Sequence, residues 1–317
     1  MTPRPADDRL ANAFRQHERF LWGLCFRMTG CAADADDLVQ DAFARAIERS
    51  PGRTDDPLRP WLVCVTMNLA RDFLRRRRRR HYVGPWLPSP LEDGDDPPAF
   101  EPVFVDDAGR PITTEGRYDL IESVSFVFLL ALEGLTPRQR AVLLLRDVFD
   151  YPVRDTAEAL ALSEENVKTT LHRARHAMRT YDRDRLQWTP ALRDRTHNAI
   201  AAFLAAVTSH DRAALAAVFT ADVELLSDGA GEFHAARVAV VGANKVATFF
   251  ATIGQRSGVA TTVRVATVSG RPALVVTTGA ARRGDPPRFV LVPTVAPDGR
   301  VKRLYAILAT RKLTAVR

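Results

Sequence analysis

Residues 155–179 read Asp155-Thr-Ala-Glu-Ala-Leu-Ala-Leu-Ser-Glu-Glu-Asn-Val-Lys-Thr-Thr-Leu-His-Arg-Ala-Arg-His-Ala-Met-Arg179. The stretch predicts two helices joined by a tight turn. Ala157 and Leu160 give the first helix an inward face, Ala161-Leu-Ser163 interrupts the periodicity, and Ser163 stands where a hydroxyl caps the next helix. In that second helix Val167, Leu171, Ala174 and Met178 form an apolar stripe at three-to-four spacing. Glu165, Asn166, Lys168, Thr169, His172, Arg173, His176 and Arg179 lie outside it, and Arg175 belongs to the same helix. A recognition helix of this kind places early polar residues at base edges and later basic ones at phosphates. A solvated amphipathic hairpin in another helical fold would show the same pattern.

Upstream, Leu135-Thr-Pro-Arg-Gln-Arg-Ala-Val-Leu-Leu-Leu-Arg146 predicts a helix with Thr136 as N-cap and Pro137 at its first position. A helical pattern also covers Asp119–Leu132. Between His81 and Asp119, seven prolines and most of the acidic excess mark a linker, interrupted by the apolar island Trp86-Leu-Pro-Ser-Pro90. Residues 8–50 read as two helices, the first ended by Gly30 and the second opening at Asp34 with acids in its first turn, where the helix dipole favours them. After a Ser50–Pro60 loop, a third helix runs from Arg59 or Pro60 to about Arg80. It is apolar at its start (Trp61, Leu62, Val65, Leu69) and ends in six consecutive arginines, Arg75–Arg80. Six adjacent arginines surround a helix rather than form one stripe, and a solvated helix end would give the same run. With Trp61, Asn68 and Phe73 beside them they suit a phosphate or single-strand face.

Downstream the texture changes at Thr189-Pro190, a second Thr-Pro helix start, with a helical Ala-rich stretch over Pro190–Phe219. Strand-forming runs follow at Val223–Ser227, Ala236–Val241, Val259–Val268, Ala273–Ala280, Arg288–Val295 and Val301–Ala309, with a helix at Ala243–Ile253. This order predicts an α+β domain with a curved sheet.

The 317 residues carry a net charge of +7, divided unevenly: +5 over residues 1–80, −7 over 81–120, zero over 121–189 and +9 over 190–317. Such a basic chain makes nucleic acid the first partner to test. The longest apolar runs fall short of a membrane span, and the first ten residues lack the apolar core of a signal peptide. A cytoplasmic location without membrane contact is expected. Cys25, Cys31 and Cys64 are not in a metal spacing and read as reduced thiols. No metal or other cofactor is expected.

Asp34-Ala-Asp-Asp-Leu-Val-Gln-Asp-Ala-Phe43 resembles the region 2 helix of the sigma-70 superfamily, and Trp61–Arg76 resembles the promoter-melting helix that follows it. Leu135–Arg146 and the helix-turn-helix resemble region 4. Order, spacing and size match the extracytoplasmic-function group of sigma factors over roughly residues 10–182. Trp86-Leu-Pro-Ser-Pro90, with Ser227-Asp-Gly-Ala-Gly-Glu232, further resembles the signatures of members fused to a SnoaL-like domain. That motif usually reads Asp-Gly-Gly-Gly-Lys; here Ala230 and Glu232 replace its third and fifth residues, and Glu232 inverts the charge of that lysine.

The resemblance implies a multidomain fold: a region 2 helical bundle over 8–80, an acidic linker over 81–118, a region 4 helix-turn-helix over 119–185, and an α+β cone-shaped SnoaL-like barrel with an internal pocket over 190–317. It implies promoter recognition and transcription initiation with the RNA polymerase core. Asp34, Asp36, Asp37, Gln40 and Asp41 would contact the β′ clamp helices, and region 4 the β flap. Acids also suit any helix N-terminus. Trp61, Asn68, Arg71, Asp72 and Arg75 would hold the melted −10 strand, with a flipped base captured at Ser50–Asp56. Glu165, Asn166, Lys168, Thr169, His172, Arg173 and Arg175 would read the −35 duplex.

Trp86, Leu87, Pro88, Asp228, Gly229 and Gly231 are expected to dock the linker on the last domain, making it a regulator in cis. A small-molecule ligand in the SnoaL-like pocket fits this scheme. Two rival readings remain: a one-component helix-turn-helix regulator with a ligand-binding barrel, which would not need Asp34–Arg80, and a cyclase or isomerase. For the latter the acid/base candidates are Asp222, Glu224, Asp228 and His234, with an Asp228–His234 pair. Asp228-Gly229 is equally a turn signal, Leu225-Leu226 and Phe249-Phe250 read as core, and no positioned nucleophile is evident, so no enzyme is expected.

Overall fold

The computed structural model describes residues 5–48, 58–80, 82–93, 117–120, 122–185, 187–256, 261–279 and 283–317. The chain divides into two compact units: Met1–Arg80 with Gly94–Arg185, and His81–Asp93 with Leu186–Arg317.

The first unit is helical. Helices α1 (Pro5–Thr29), α2 (Ala32–Glu48) and α3 (Leu58–Arg79) pack through Leu21, Leu24, Leu38, Ala42, Leu62 and Met67. Gly30 separates α1 from α2 at φ 69°, and its N–H returns to the Phe26 carbonyl at 2.6 Å. The expected helix over Asp119–Leu132 is shorter: a single 3-10 turn at Glu122–Val124 precedes α4 (Phe126–Leu132), because the Ser125 hydroxyl accepts from the Phe128 N–H and starts the helix there. Thr136 and Gln139 form a reciprocal capping box at the start of α5 (Pro137–Leu143), which passes into a π-helical turn over Leu144–Val148.

The helix-turn-helix is α6 (Val153–Leu160) and α7 (Glu164–Ala177). Ala161 turns the chain at φ 52°, and the Ser163 side chain caps α7 at the Asn166 N–H. The second helix of the sequence reading breaks at Met178 and resumes as α8 (Arg179–Asp184).

The second unit is α+β. Helices α9 (Pro190–Thr208), α10 (Arg212–Ala217) and α11 (Ala243–Arg256) cover a six-stranded sheet of order β2-β1-β6-β5-β4-β3. Its strands are β1 (Phe219–Asp228), β2 (Val240–Val241), β3 (Thr261–Val268), β4 (Arg271–Thr278), β5 (Arg288–Val295) and β6 (Val301–Ile307). β1 and β6 run parallel and the other pairings are antiparallel.

The core brings Ile200, Phe203 and Val246 onto Leu225, Leu274, Leu291 and Leu304, and Phe249 and Phe250 pack against it, as read from sequence. The closed barrel was an over-reading. Among the described residues β2 has two residues and pairs with β1 alone, and the sheet has its ends at β2 and β3 without closing. The run Ala236–Val241 failed as a full strand because most of it belongs to the loop that returns from Asp228.

Candidate nucleic-acid interface and linker seat

Helix α7 presents Glu165, Asn166, Lys168, Thr169, His172 and Arg173 to solvent while Val167, Leu171 and Ala174 are buried. Arg175 departs from the duplex-reading set in its contacts. Its guanidinium grips the buried Asp147 carboxylate with bonds of 2.9 and 2.6 Å, tying α7 to the π-helical turn. The hydrogen bonds to Asp147 hold Arg175 above the usual arginine value.

On α2, Asp36, Asp37, Gln40 and Asp41 are exposed and Asp34 is half-buried. Ala35, Leu38, Val39 and Ala42 take the inward face, so the acids share the outer one. The Trp22 indole N–H donates to Asp36 at 2.5 Å.

On α3, Asp72 and Arg75 are exposed and paired at 2.9 Å, and Trp61 and Asn68 are half-buried. Arg71, expected from sequence to hold the −10 strand beside Asn68 and Arg75, is instead buried in this unit. It is 7% exposed and donates to the Leu160 carbonyl at 3.1 Å and to Asn68 at 3.3 Å. Its helical phase borders the buried Met67, Ala70 and Leu74, and the end of α6 covers what remains. Burial lowers its pKa, with Arg75 and Arg138 acting in the same direction.

The arginine run divides likewise. Arg77 binds Glu133 at 2.5 Å and the Thr29 carbonyl at 2.8 Å, and Arg78 donates to the Leu135 carbonyl. Glu133 also receives the buried Arg140 at 2.6 Å, and Arg140 reaches back to the Met28 carbonyl at 2.8 Å. Burial pushes the Glu133 carboxyl up, but Arg140 and Arg77 outweigh it and hold the group below the usual glutamate value. The α1–α3 bundle and the α4–α8 segment are thus locked together by arginines. The proposed base-capturing loop, Ser50–Asp56, lies outside the described residues.

In the second unit, Asp228 gathers the linker island. Its fully buried carboxylate accepts from the Tyr82 hydroxyl at 2.6 Å, the Leu87 N–H at 2.7 Å and the Ala230 N–H at 3.1 Å, and pairs with the Lys312 ammonium. Lys312 also donates to the Leu87 carbonyl and lies 4.3 Å from the centroid of the Trp86 ring. Leu87 and Pro88 are buried. A side chain at Gly229 would stand 3.0 Å from Ala235 and from the Phe233 carbonyl, and Gly231 turns at φ 80°. Ala230 also sits at a positive φ, 49°.

Further along, Glu92 binds Arg264 and bridges to Val268 at the β3 edge. Glu232 accepts from the Thr310 N–H at 3.1 Å, and the cation on Asp228 is Lys312. Lys312 and Tyr82 were invisible to sequence reasoning, lying 84 and 146 residues from Asp228. The Asp228–His234 pair does not form: His234 faces Asp285 at 3.5 Å. Asp222 and Glu224 lie on β1, where Glu224 pairs with Arg303 at 2.7 Å.

Comparison with known proteins agrees with this architecture. The family models Sigma-70 region 2 and Sigma-70, region 4 match residues 13–80 and 125–178. ECF RNA polymerase sigma factor SigJ of Mycobacterium tuberculosis is 33% identical over 249 residues, covering 78% of this chain and 72% of SigJ. SigG of the same species is 35% identical over 236 residues, which cover 69% of this chain and 62% of SigG. The crystal structure of M. tuberculosis SigJ superposes with a TM-score of 0.66 at 26% identity, covering 96% of this chain and 98% of that one. The chain belongs to the ECF RNA polymerase sigma factors. Its work is accordingly promoter recognition and transcription initiation. Among the described residues no helix is long and apolar enough to cross a membrane.

Proposed function

We propose that the second unit regulates this sigma factor in cis by holding the linker. The carrying observation is the buried Asp228 carboxylate, which takes a hydroxyl, a main-chain N–H and an ammonium while seating Tyr82–Leu87. A passive tether would have no use for a buried ion pair on its linker. The unit acts as an internal regulator rather than an enzyme, since its best acid/base candidate is committed to that seat. The protein works in the cytoplasm without a bound cofactor.

In this reading the exposed acids of α2 meet the polymerase β′ clamp helices, the helix-turn-helix unit meets the β flap, α7 reads the −35 duplex, and α3 holds the −10 strand. The two promoter elements lie about 25 base pairs apart, or about 85 Å of duplex at roughly 3.4 Å per step. Helices α3 and α6 touch through Arg71 and Leu160. The arginine-locked unit is therefore a resting form that opens before both elements are read, and opening frees Arg71 for the strand.

The test is run-off transcription with core polymerase, comparing the full chain, Trp86→Ala, and a truncation after Arg185. A regulatory seat predicts altered output from Trp86→Ala in the full chain and little effect of the same change after truncation. Equal output from all of them would overturn it.

A further inference from the structure

A cleft of about 220 Å³ opens between the loop that follows β1 and the start of the linker, apart from the packed core between sheet and helices. The linker forms one wall: a side chain at Gly231 would stand 3.5 Å from Val83, and one at Gly84 3.8 Å from Arg237 and 3.9 Å from the Ser227 carbonyl. Phe233 and Ala236 add apolar surface.

Among the described residues, two polar groups of this cleft have no partner. Ser227 is 3% exposed, and its buried Oγ makes no hydrogen bond among the described residues. A buried hydroxyl left unsatisfied is costly, so an orphan in a cleft wall points to a ligand atom. Arg237, exposed at the rim, has no ion pair or hydrogen bond among the described residues. Its planar fork of donors matches a carboxylate better than a point charge would.

The two carboxylates nearby are already engaged: Glu232 with the Thr310 N–H, and Asp285 with His234. His234 is fixed in turn. Its N–H bonds the Gly284 carbonyl at 2.7 Å, and any Cβ at Gly284 would come within 2.5 Å of its ring. Glycine there allows the ring to lie flat against the neighbouring loop.

We propose that this cleft binds a small organic acid, its carboxylate on Arg237 and its compact apolar body against Val83 and Phe233, with Ser227 hydrogen-bonding the bound molecule. The site goes beyond the regulatory reading above and is measured without transcription. The volume admits a fragment-sized molecule rather than a drug-sized one.

Benzoate is the probe, with neutral benzamide and inorganic phosphate as controls, in saturation-transfer NMR titrations of the full chain. Saturable benzoate binding with a millimolar or tighter Kd is expected, with benzamide and phosphate each about tenfold weaker. Arg237→Gln should weaken benzoate about tenfold. Ser227→Ala should weaken it about threefold without lowering the melting temperature of the free protein, because it removes an orphan. Absence of saturation up to about 20 mM, or equal binding by Arg237→Gln, would overturn the site. Benzamide or phosphate binding as tightly as benzoate would overturn its assignment to a carboxylic acid.

Discussion

Lys312 and Asp228, 84 residues apart in sequence, form an ion pair with side chains only 6% and 0% exposed. Removing one member of a buried pair leaves the other charged and unpartnered, at a typical cost of about 3–5 kcal/mol. Lys312→Met is therefore expected to destabilise the second unit by that order. The double change Asp228→Asn, Lys312→Met should cost less than the sum of the singles. Urea midpoints of the four full-length proteins measure the coupling; strict additivity would contradict a shared site.

Ala230 occupies the left-handed region beside that pair, at φ 49°. An L-residue there loses roughly 1–2 kcal/mol relative to its right-handed conformation, which glycine avoids. Glycine also costs more backbone entropy on folding. Ala230→Gly, restoring the motif residue, should net a gain of about 0.5–1 kcal/mol. A lowered thermal midpoint would show that the turn is not strained.

Glu133 makes the lock within the first unit pH-dependent. Its folded pKa lies below the unfolded value because Arg140 and Arg77 overcome the desolvation that pushes it up. Its stabilisation is thus complete above the unfolded value, about 4.3, and is lost as pH falls through the lower folded one. Glu133→Gln should destabilise the protein by about 2 kcal/mol at pH 7, and the difference from the unchanged chain should shrink below about pH 4. Chemical denaturation at pH 7 and pH 3.5 checks both the size and the sign.

Two arginines of α7 should behave differently. Arg173 is exposed, whereas Arg175 neutralises a buried aspartate at 2.6 Å. Arg173→Ala is expected to leave stability within about 0.5 kcal/mol. It should weaken −35 binding by roughly 1–3 kcal/mol if it meets a base, or lower the salt slope by about one if it meets a phosphate. Arg175→Ala should instead cost about 2–4 kcal/mol of stability and weaken all promoters alike. Electrophoretic mobility series on −35 variants, run beside thermal melts, separate the two.

Much of this was legible in the chain because local rules agreed. Thr136-Pro137, Ser163 and Thr189-Pro190 start helices where their hydroxyls cap, and Gly30 stops one where a positive φ is needed. The exposed faces of α2 and α7 follow from the same periodicity. What sequence could not supply was partnership at long range. Period alone puts Arg71 at the border of a face; only the arrival of Leu160, 89 residues later, buries it. The seat's lysine sits in a 3-10 turn near the end of the chain, where nothing local marks it as a partner of Asp228. Closure of the barrel failed for a related reason: it depends on how two edge strands meet, and β2 is too short to meet β3.

Arg71 and Arg75 lie one turn apart on α3, and their environments predict opposite phenotypes. Arg75 is exposed and, among the described residues, pairs with its neighbour Asp72, an interaction worth about 0–1 kcal/mol at a surface. Arg75→Ala should therefore leave folding untouched and, in the proposed reading, reduce open-complex formation by removing a cation from the −10 strand. Arg71 instead ties α3 to the carbonyl that ends α6. Arg71→Ala removes a contact that keeps the unit closed as well as a proposed strand contact. Its first effect should be a looser unit, seen as faster hydrogen exchange at Leu160–Leu162, and its second a loss of promoter melting. Permanganate footprints with core polymerase report the melting, and hydrogen exchange on the free protein reports the opening. Normal footprints from a chain carrying both Arg71→Ala and Arg75→Ala would remove α3 from strand capture, and unchanged exchange in Arg71→Ala would remove Arg71 from the lock.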